Sequence, residues 1–174
     1  DSEAGADMAH YTQKLSASGG AYLGPEDGAN DLPVVIGQVK ALATEEHRFK
    51  TLVLDSGSKL FNTAVALEAE RLGEANAFGA DKKPAIAQFR QLVIWLGKLD
   101  MNVIIVAHEN AEWGTDSKGN RAEIGQTFDC WEKLEYELHL ALRVVKQGKS
   151  RKAFVRKSRL LGFQEGDSFD WTFD

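Results

Sequence analysis

The chain has 174 residues, of which 43% are hydrophobic, and this is enough for one domain with its own core. Its formal net charge of −5 argues against nonspecific nucleic-acid binding over the whole surface, and its single cysteine, Cys130, excludes an internal disulfide. We recognise neither a signal peptide nor a run of 18 apolar residues, so we expect a soluble cytoplasmic protein without a membrane partner.

The charge is unevenly distributed along the chain. Residues 146–159 contain seven basic residues and no acidic one, whereas the remainder carries 14 basic and 26 acidic residues, a net charge of −12. A basic run of this kind is typical of a solvated strand edge or of a nucleic-acid-binding patch.

Two helices are predicted in the first quarter of the chain. Apolar residues at helical spacing indicate the first, and they are Met8, Tyr11 and Leu15. The Gly/Ser-rich sequence SASGGA ends it. Asp31 can cap the second helix, which has Pro33 in its first turn. The residues expected on its buried face are Val35, Val39 and Leu42.

Two apolar runs predict strands with helices between them. TLVLDS (51–56) and NVIIVAHEN (102–110) are uninterrupted, which favours parallel strands buried on both faces. An amphipathic helix over 59–72 is predicted to end at Gly73, and another helix is expected to start at Pro84.

The last third of the chain is predicted to be mainly β. Residues 110–126 are polar and show no periodicity, so we expect a functional or mobile loop there. Alternation in 136–146 and the basic run 151–159 predict a hairpin of two antiparallel strands. The tail 167–174 is expected to add an edge strand.

Polar residues follow both apolar strands. Asp55 and Ser56 end the first, and His108 and Glu109 follow the second. If the strands are parallel, the four residues meet at one edge of the sheet, where open α/β sheets bind ligands. Their chemistry suits a metal–nucleotide site or a metal hydrolase, and the alternative is a helix cap with surface polar residues.

The order of these segments resembles RecA-superfamily P-loop ATPases. DSEAGADMAHYTQKL resembles the family's acid-x-Glu strand end, TLVLDS its Walker B strand, and NVIIVAHEN the strand that senses the γ-phosphate. VRKSR and its hairpin are similar to the Lys-x-Arg element that reaches a neighbouring subunit. The AHE and GDSFDW segments look most like phage-encoded RecA-like (AAA-type) ATPases of recombination and single-strand annealing. The resemblance implies one α/β domain over 1–174, with a mainly parallel sheet flanked by helices and a C-terminal antiparallel hairpin.

The resemblance also implies ATP and Mg²⁺ as cofactors and gives roles to the residues at the sheet edge. Glu3 would be the general base that activates the attacking water, and Asp55 would hold Mg²⁺, supported by Ser56. His108 would sense the γ-phosphate, and Glu109 would lie on the cofactor side of the site.

Two further groups of residues follow from the resemblance. Lys157 and Arg159 would stabilise transition-state charge in an adjacent subunit of a homo-oligomeric ring or filament. Segments 73–83 and 110–126 would face single-stranded DNA, as loops do in the recombinases. The residues expected to contact the DNA are Trp113, Lys118 and Arg121. A single-strand-binding or annealing protein is a further expected partner, and a phage-encoded protein would act in the bacterial cytoplasm.

The chain departs from the family in one motif. It contains no G-x-x-x-x-G-K-[ST], the loop whose lysine reaches the β- and γ-phosphates. In the family this loop precedes the strand that would end at Glu3. The resemblance therefore predicts an N-terminally incomplete core, with unpaired strand edges, that is inactive by itself. A noncatalytic DNA- or protein-binding module derived from the fold is the alternative.

Overall fold

The computed structural model describes residues 1–73, 80 and 82–172 of the chain. They form two compact units, Asp1–Trp131 and Glu132–Asp174. Among the described residues, no helix combines the length and the hydropathy needed to cross a bilayer.

The first unit contains helices and two separate two-stranded sheets. Its elements in chain order are α1 (Ala9–Ala17), a 3₁₀ turn (Pro25–Asp27), α2 (Leu32–Thr44), β1 (Thr51–Leu54), α3 (Gly57–Leu72), α4 (Lys82–Leu96), β2 (Asn102–Ile105), β3 (Glu109–Thr115) and β4 (Arg121–Phe128).

The helices predicted from apolar spacing are confirmed. Asp31 caps α2 by accepting a hydrogen bond from the backbone N–H of Val34 at 3.1 Å. Gly73 follows α3 with a φ of +77°, a left-handed conformation that glycine adopts without steric cost. The helix predicted from Pro84 begins at Lys82.

The core of the first unit lies mainly between helices. Helix α4 packs against α2 and α3, and the ring of Phe89 meets that of Phe61 edge-on at 5.4 Å. The other buried apolar residues of these three helices are Leu32, Val35, Ile36, Val39, Leu60, Ala64, Ala85, Leu92 and Leu96.

Strands β1 and β2 are parallel, as predicted, with Thr51 opposite Asn102 and Leu54 opposite Ile105. Both alternate between exposed and half-buried residues, and Val53 is 49% exposed. The prediction of strands buried on both faces is therefore wrong, because only one face of this two-stranded sheet is covered. The mainly parallel sheet is not confirmed either, since β1 and β2 are the only parallel pair among the described strands.

The loop predicted over 110–126 is also wrong, since β3 and β4 form an antiparallel hairpin there. Its turn is built by Asp116, whose carboxylate accepts backbone hydrogen bonds from Lys118 and Asn120, both at 2.8 Å. Gly119 supplies the positive φ of +82° that the turn requires. Most of the other predicted DNA-facing segment, 73–83, lies outside the described residues.

The second unit consists of a helical turn and a three-stranded antiparallel sheet. Its elements are α5 (Leu134–Glu137), β5 (Leu140–Gln147), β6 (Ser150–Ser158) and β7 (Ser168–Asp170). The predicted hairpin is β5–β6, and β7 pairs with β6 as the predicted edge strand. Buried Leu134, Ala153 and Val155 form its small core.

Candidate functional site

The site is built at the carboxyl end of β1. Ser56 is 2% exposed and caps α3, because its Oγ accepts a hydrogen bond from the backbone N–H of Lys59 at 3.2 Å. The same hydroxyl donates its proton to Glu3 Oε1 at 2.7 Å. Ser56 therefore caps the helix and contacts the site, two roles that the sequence left as alternatives.

Ser2 fixes the segment that carries Glu3, and sequence reasoning missed it. Its backbone N–H donates to the carbonyl of Asp55 at 2.6 Å, in line with β1. Its buried hydroxyl accepts from Ser56 N–H at 2.9 Å and lies 3.0 Å from Ser56 O, to which it donates. A serine beside an acid is common in turns, so no local signal in the sequence points to this role.

His108 completes the cluster from the end of β2. Its Nε2 lies 3.2 Å from Glu3 Oε1, the oxygen that Ser56 also contacts. Its backbone is held on both sides: His108 N–H donates to Ser58 Oγ at 2.8 Å, and Asp129 N–H donates to the carbonyl of His108 at 2.8 Å. Ser58, 1% exposed in the first turn of α3, is a second positioning residue that the sequence did not reveal.

Asp55 and Glu109 lie on either side of this cluster in the chain. Asp55 is exposed and borders one end of a largely apolar cavity of about 600 Å³, which α2 and β1 help to line. Glu109 is also exposed and begins β3, opposite Phe128. The structure thus brings Glu3, Ser56 and His108 into contact, and Asp55 precedes Ser56 in the chain with its carbonyl bonded to Ser2.

Lys157 and Arg159 lie at the end of β6, where both contact backbone carbonyls of α5, and Lys157 also contacts that of Leu138 just after it. The Lys157 ammonium donates to three carbonyls, those of Glu135 at 2.6 Å, Tyr136 at 2.9 Å and Leu138 at 2.6 Å. Arg159 donates to the Tyr136 carbonyl at 2.6 Å. Desolvation, followed by the nearby Arg159 charge, lowers the pKa of Lys157. In this conformation Lys157 has used all three of its donors within its own chain.

The residues predicted to contact DNA lie at the tip of the β3–β4 hairpin. The Arg121 guanidinium is stacked over the Trp113 ring at 5.1 Å, and Lys118 is exposed in the turn. Trp113 remains 55% exposed. The hairpin as a whole, residues 109–128, carries four acidic and two basic residues.

A comparison with protein families identifies the family of the chain. The family model described as an AAA domain matches residues 12–170. The chain belongs to this AAA domain family. No curated protein and no solved structure gave a significant match.

Membership of the AAA-type P-loop ATPase family indicates a nucleotide-binding, ATPase-type function. ATP and Mg²⁺ are the cofactors that this family generally uses. Mg²⁺ at such sites is held by one or two carboxylates together with the phosphates of the nucleotide. The exposed Asp55 carboxylate and the Ser56 hydroxyl at the end of β1 are oxygen donors of the kind that this donor set needs.

A dedicated metal cage receives no such support. Among the described residues, no group of three or more His, Cys, Asp or Glu side chains could hold a metal ion by itself. The metal hydrolase based on Asp55, His108 and Glu109 stays a prediction.

Proposed function

We propose that this AAA-family protein is the core of a Mg²⁺-dependent ATPase that couples ATP hydrolysis to the handling of single-stranded DNA in phage-type recombination or replication. The observation that carries the ATPase proposal is the contact of Glu3 with Ser56 and His108 at the shared carboxyl ends of β1 and β2. A carboxylate, a hydroxyl and an imidazole in contact can orient a water molecule and respond to a phosphate.

In this proposal Glu3 accepts the proton of the attacking water. The Ser56 hydroxyl holds the Glu3 carboxylate through Oε1, which leaves Oε2 to face the water. His108 donates a hydrogen bond to the γ-phosphate and exchanges its contact with Glu3 for it. Asp55 would hold Mg²⁺, which neutralises phosphate charge when bound.

Lys157 and Arg159 are proposed to act across the interface of a ring or filament of identical subunits. Positive charge supplied in trans is a common way to stabilise phosphoryl transfer. Arg159 is exposed and has further N–H groups beyond the one bonded to Tyr136. Lys157 must first release its three carbonyl partners, so Arg159 is the more accessible of the two cations.

The test is ATP hydrolysis with and without single-stranded DNA. It is made on this chain and on the chain joined to an upstream phosphate loop. Each protein is also measured as the Glu3→Gln variant and as Glu70→Gln, a matched control at an exposed position. We expect DNA-stimulated turnover in the extended protein, loss of that turnover in Glu3→Gln, and no effect of Glu70→Gln. Equal turnover in Glu3→Gln would contradict the role of Glu3.

A noncatalytic binding module is the second candidate. It is favoured by the lack of a G-x-x-x-x-G-K-[ST] motif within the 174 residues and by the internal partners of Lys157. Such a module would bind DNA or a partner such as a single-strand annealing protein equally well with and without ATP and Mg²⁺. DNA affinity measured under both conditions separates the two functions.

A further inference from the structure

The basic run of the sequence folds into the β5–β6 hairpin, and its most exposed end is the turn between the two strands. Lys146, Lys149 and Arg151 surround this turn, and all three are exposed. No ion pair joins any of them to another described residue.

Two of these cations share a row across the sheet with an aromatic side chain. Lys146 is the register partner of Arg151, and Trp171 N–H donates to the Arg151 carbonyl at 2.9 Å. Since Lys152 pairs with Asp170 in the same register, Trp171 lies opposite Arg151. Directly opposed residues of neighbouring strands project from the same face. Lys146, Arg151 and Trp171 therefore form a continuous row on one face, which we call the basic–aromatic row.

The basic–aromatic row brings two positive charges together, and their repulsion destabilises the folded sheet. Like charges directly opposite each other destabilise an antiparallel pair, and Lys146 faces Arg151. Asp170 does not neutralise the row, because strand alternation places it on the other face, opposite Lys152. A bound anion would relieve the repulsion.

The aromatic end of the row contacts a second ring and is partly exposed. Trp171 is 41% exposed, and its ring centroid lies 6.3 Å from that of Phe169. Phe169 in turn meets Phe163 edge-on at 5.8 Å. A partly exposed indole with another ring beside it offers a flat surface on which a base can stack.

We propose that the basic–aromatic row, with Lys149 beside it, is the surface that binds single-stranded nucleic acid. Phosphates contact Lys146, Lys149 and Arg151, and a base stacks on Trp171. Adjacent cations and an exposed aromatic ring are the two components of single-strand recognition. The inference rests on the DNA-handling part of the proposed function and moves the contact away from the β3–β4 tip. That hairpin is net acidic, and Arg121 already covers one face of Trp113.

The experiment measures binding of the full chain to a fluorescein-labelled dT oligonucleotide by anisotropy. The test variants are the triple variant Lys146→Gln/Lys149→Gln/Arg151→Gln and, separately, Trp171→Ala and Trp171→Phe. The triple variant Lys14→Gln/Arg48→Gln/Lys50→Gln is the matched control, because it removes the same charge from exposed positions of the other unit. Trp113→Ala/Arg121→Gln tests the competing surface. Circular dichroism checks that each variant is folded.

We expect the triple variant to bind at least about tenfold more weakly and to lower the salt slope of binding by about 2, since each phosphate contact contributes about 0.7 for a single strand. Trp171→Ala should weaken binding about 5- to 150-fold, and Trp171→Phe should restore most of it. The loss on Trp171→Ala should disappear with duplex DNA, whose bases are already stacked.

Three results would overturn the inference without contradicting the proposal that the protein handles DNA. Unchanged affinity in the triple variant, or a loss confined to Trp113→Ala/Arg121→Gln, would place the DNA elsewhere. Stronger binding to phosphatidylserine vesicles than to the oligonucleotide would identify a membrane surface instead. If the unmodified chain binds no oligonucleotide at all, both this inference and the DNA-handling proposal fail, whereas the ATPase proposal is judged by hydrolysis alone.

Discussion

At the scale of single residues, one carboxylate oxygen joins three segments of the chain. Glu3 Oε1 contacts Ser56 from the end of β1 and His108 from the end of β2, and Ser2 holds the segment that carries Glu3. The geometry of the site therefore depends on hydroxyl groups that take no part in the proposed chemistry. Ser2 is the clearest case, because it is 5% exposed and bonds to both backbone groups of Ser56.

Replacing Ser2 tests this role. Ser2→Ala leaves the buried N–H of Ser56 without its acceptor, so we expect the free energy of unfolding to fall by about 1–3 kcal/mol. Urea denaturation measures the loss, and Ser117→Ala, at an exposed position in the β3–β4 turn, is the matched control with an expected change below about 0.5 kcal/mol. An unchanged midpoint for Ser2→Ala would show that water replaces the hydroxyl.

At the scale of elements, the β3–β4 hairpin shows how a turn overrides a weak strand pattern. Its strands contain few β-branched residues, so periodicity predicted a loop. The turn residues Asp116, Gly119 and Asn120 were the signal for a hairpin, because a carboxylate can bind the N–H groups ahead of it and glycine accepts a positive φ.

The turn is expected to depend on pH. Backbone hydrogen bonds from Asn120, and next from Lys118, hold the pKa of Asp116 below its ordinary value. A carboxyl whose pKa is lower in the folded state stabilises that state above its ordinary pKa and loses this contribution as the pH falls through the folded value. We therefore expect the Gly119 amide resonance to shift below about pH 4, and the protection of this amide against hydrogen exchange, relative to its intrinsic rate at each pH, to fall.

Asp116→Asn is the control for this titration. Its side-chain carbonyl still accepts hydrogen bonds but does not titrate, so the Gly119 amide should not respond to acid through this turn. A similar acid response in both proteins would mean that another group controls the turn.

The α5 turn is predicted to depend on Lys157. Lys157→Met keeps most of the apolar stem and removes three hydrogen bonds to carbonyls, so we expect the free energy of unfolding of the second unit to fall by about 1–2 kcal/mol. Hydrogen exchange of the β6 amides measures the effect, and Lys149→Met at the exposed turn is the control. Equal exchange in the two variants would show that the carbonyls are solvated at no cost.

At the scale of the whole molecule, the single domain expected over residues 1–174 stays a prediction. The described residues form two compact units, each with its own small core, around Phe89 in the first and Ala153 in the second. Both cores are modest, and β1–β2 has one uncovered face, so neither unit is expected to be highly stable alone.

A one-domain protein should unfold in one step. We expect the thermal transitions followed by far-ultraviolet circular dichroism and by tryptophan fluorescence to coincide. Two variants, one that retains only Trp95 and one that retains only Trp171, each report on the unfolding of one unit. Two separate midpoints would contradict the single domain.

The sequence by itself determined the helices α1 to α3, the parallel order of β1 and β2, the β5–β6 hairpin and the position of Asp55 and Ser56 at a strand end. Most of these features are encoded by hydrophobic spacing, turns and caps within a few residues, and the parallel order follows from the helical connection between the two strands. Only the tertiary structure decided that Glu3 contacts Ser56, 53 positions away, and that Ser2 and Ser58 hold the site. It also decided that the Lys157 ammonium donates to backbone carbonyls of its own chain. Those contacts join residues that are far apart in the chain, and they depend on how the elements pack rather than on any local pattern.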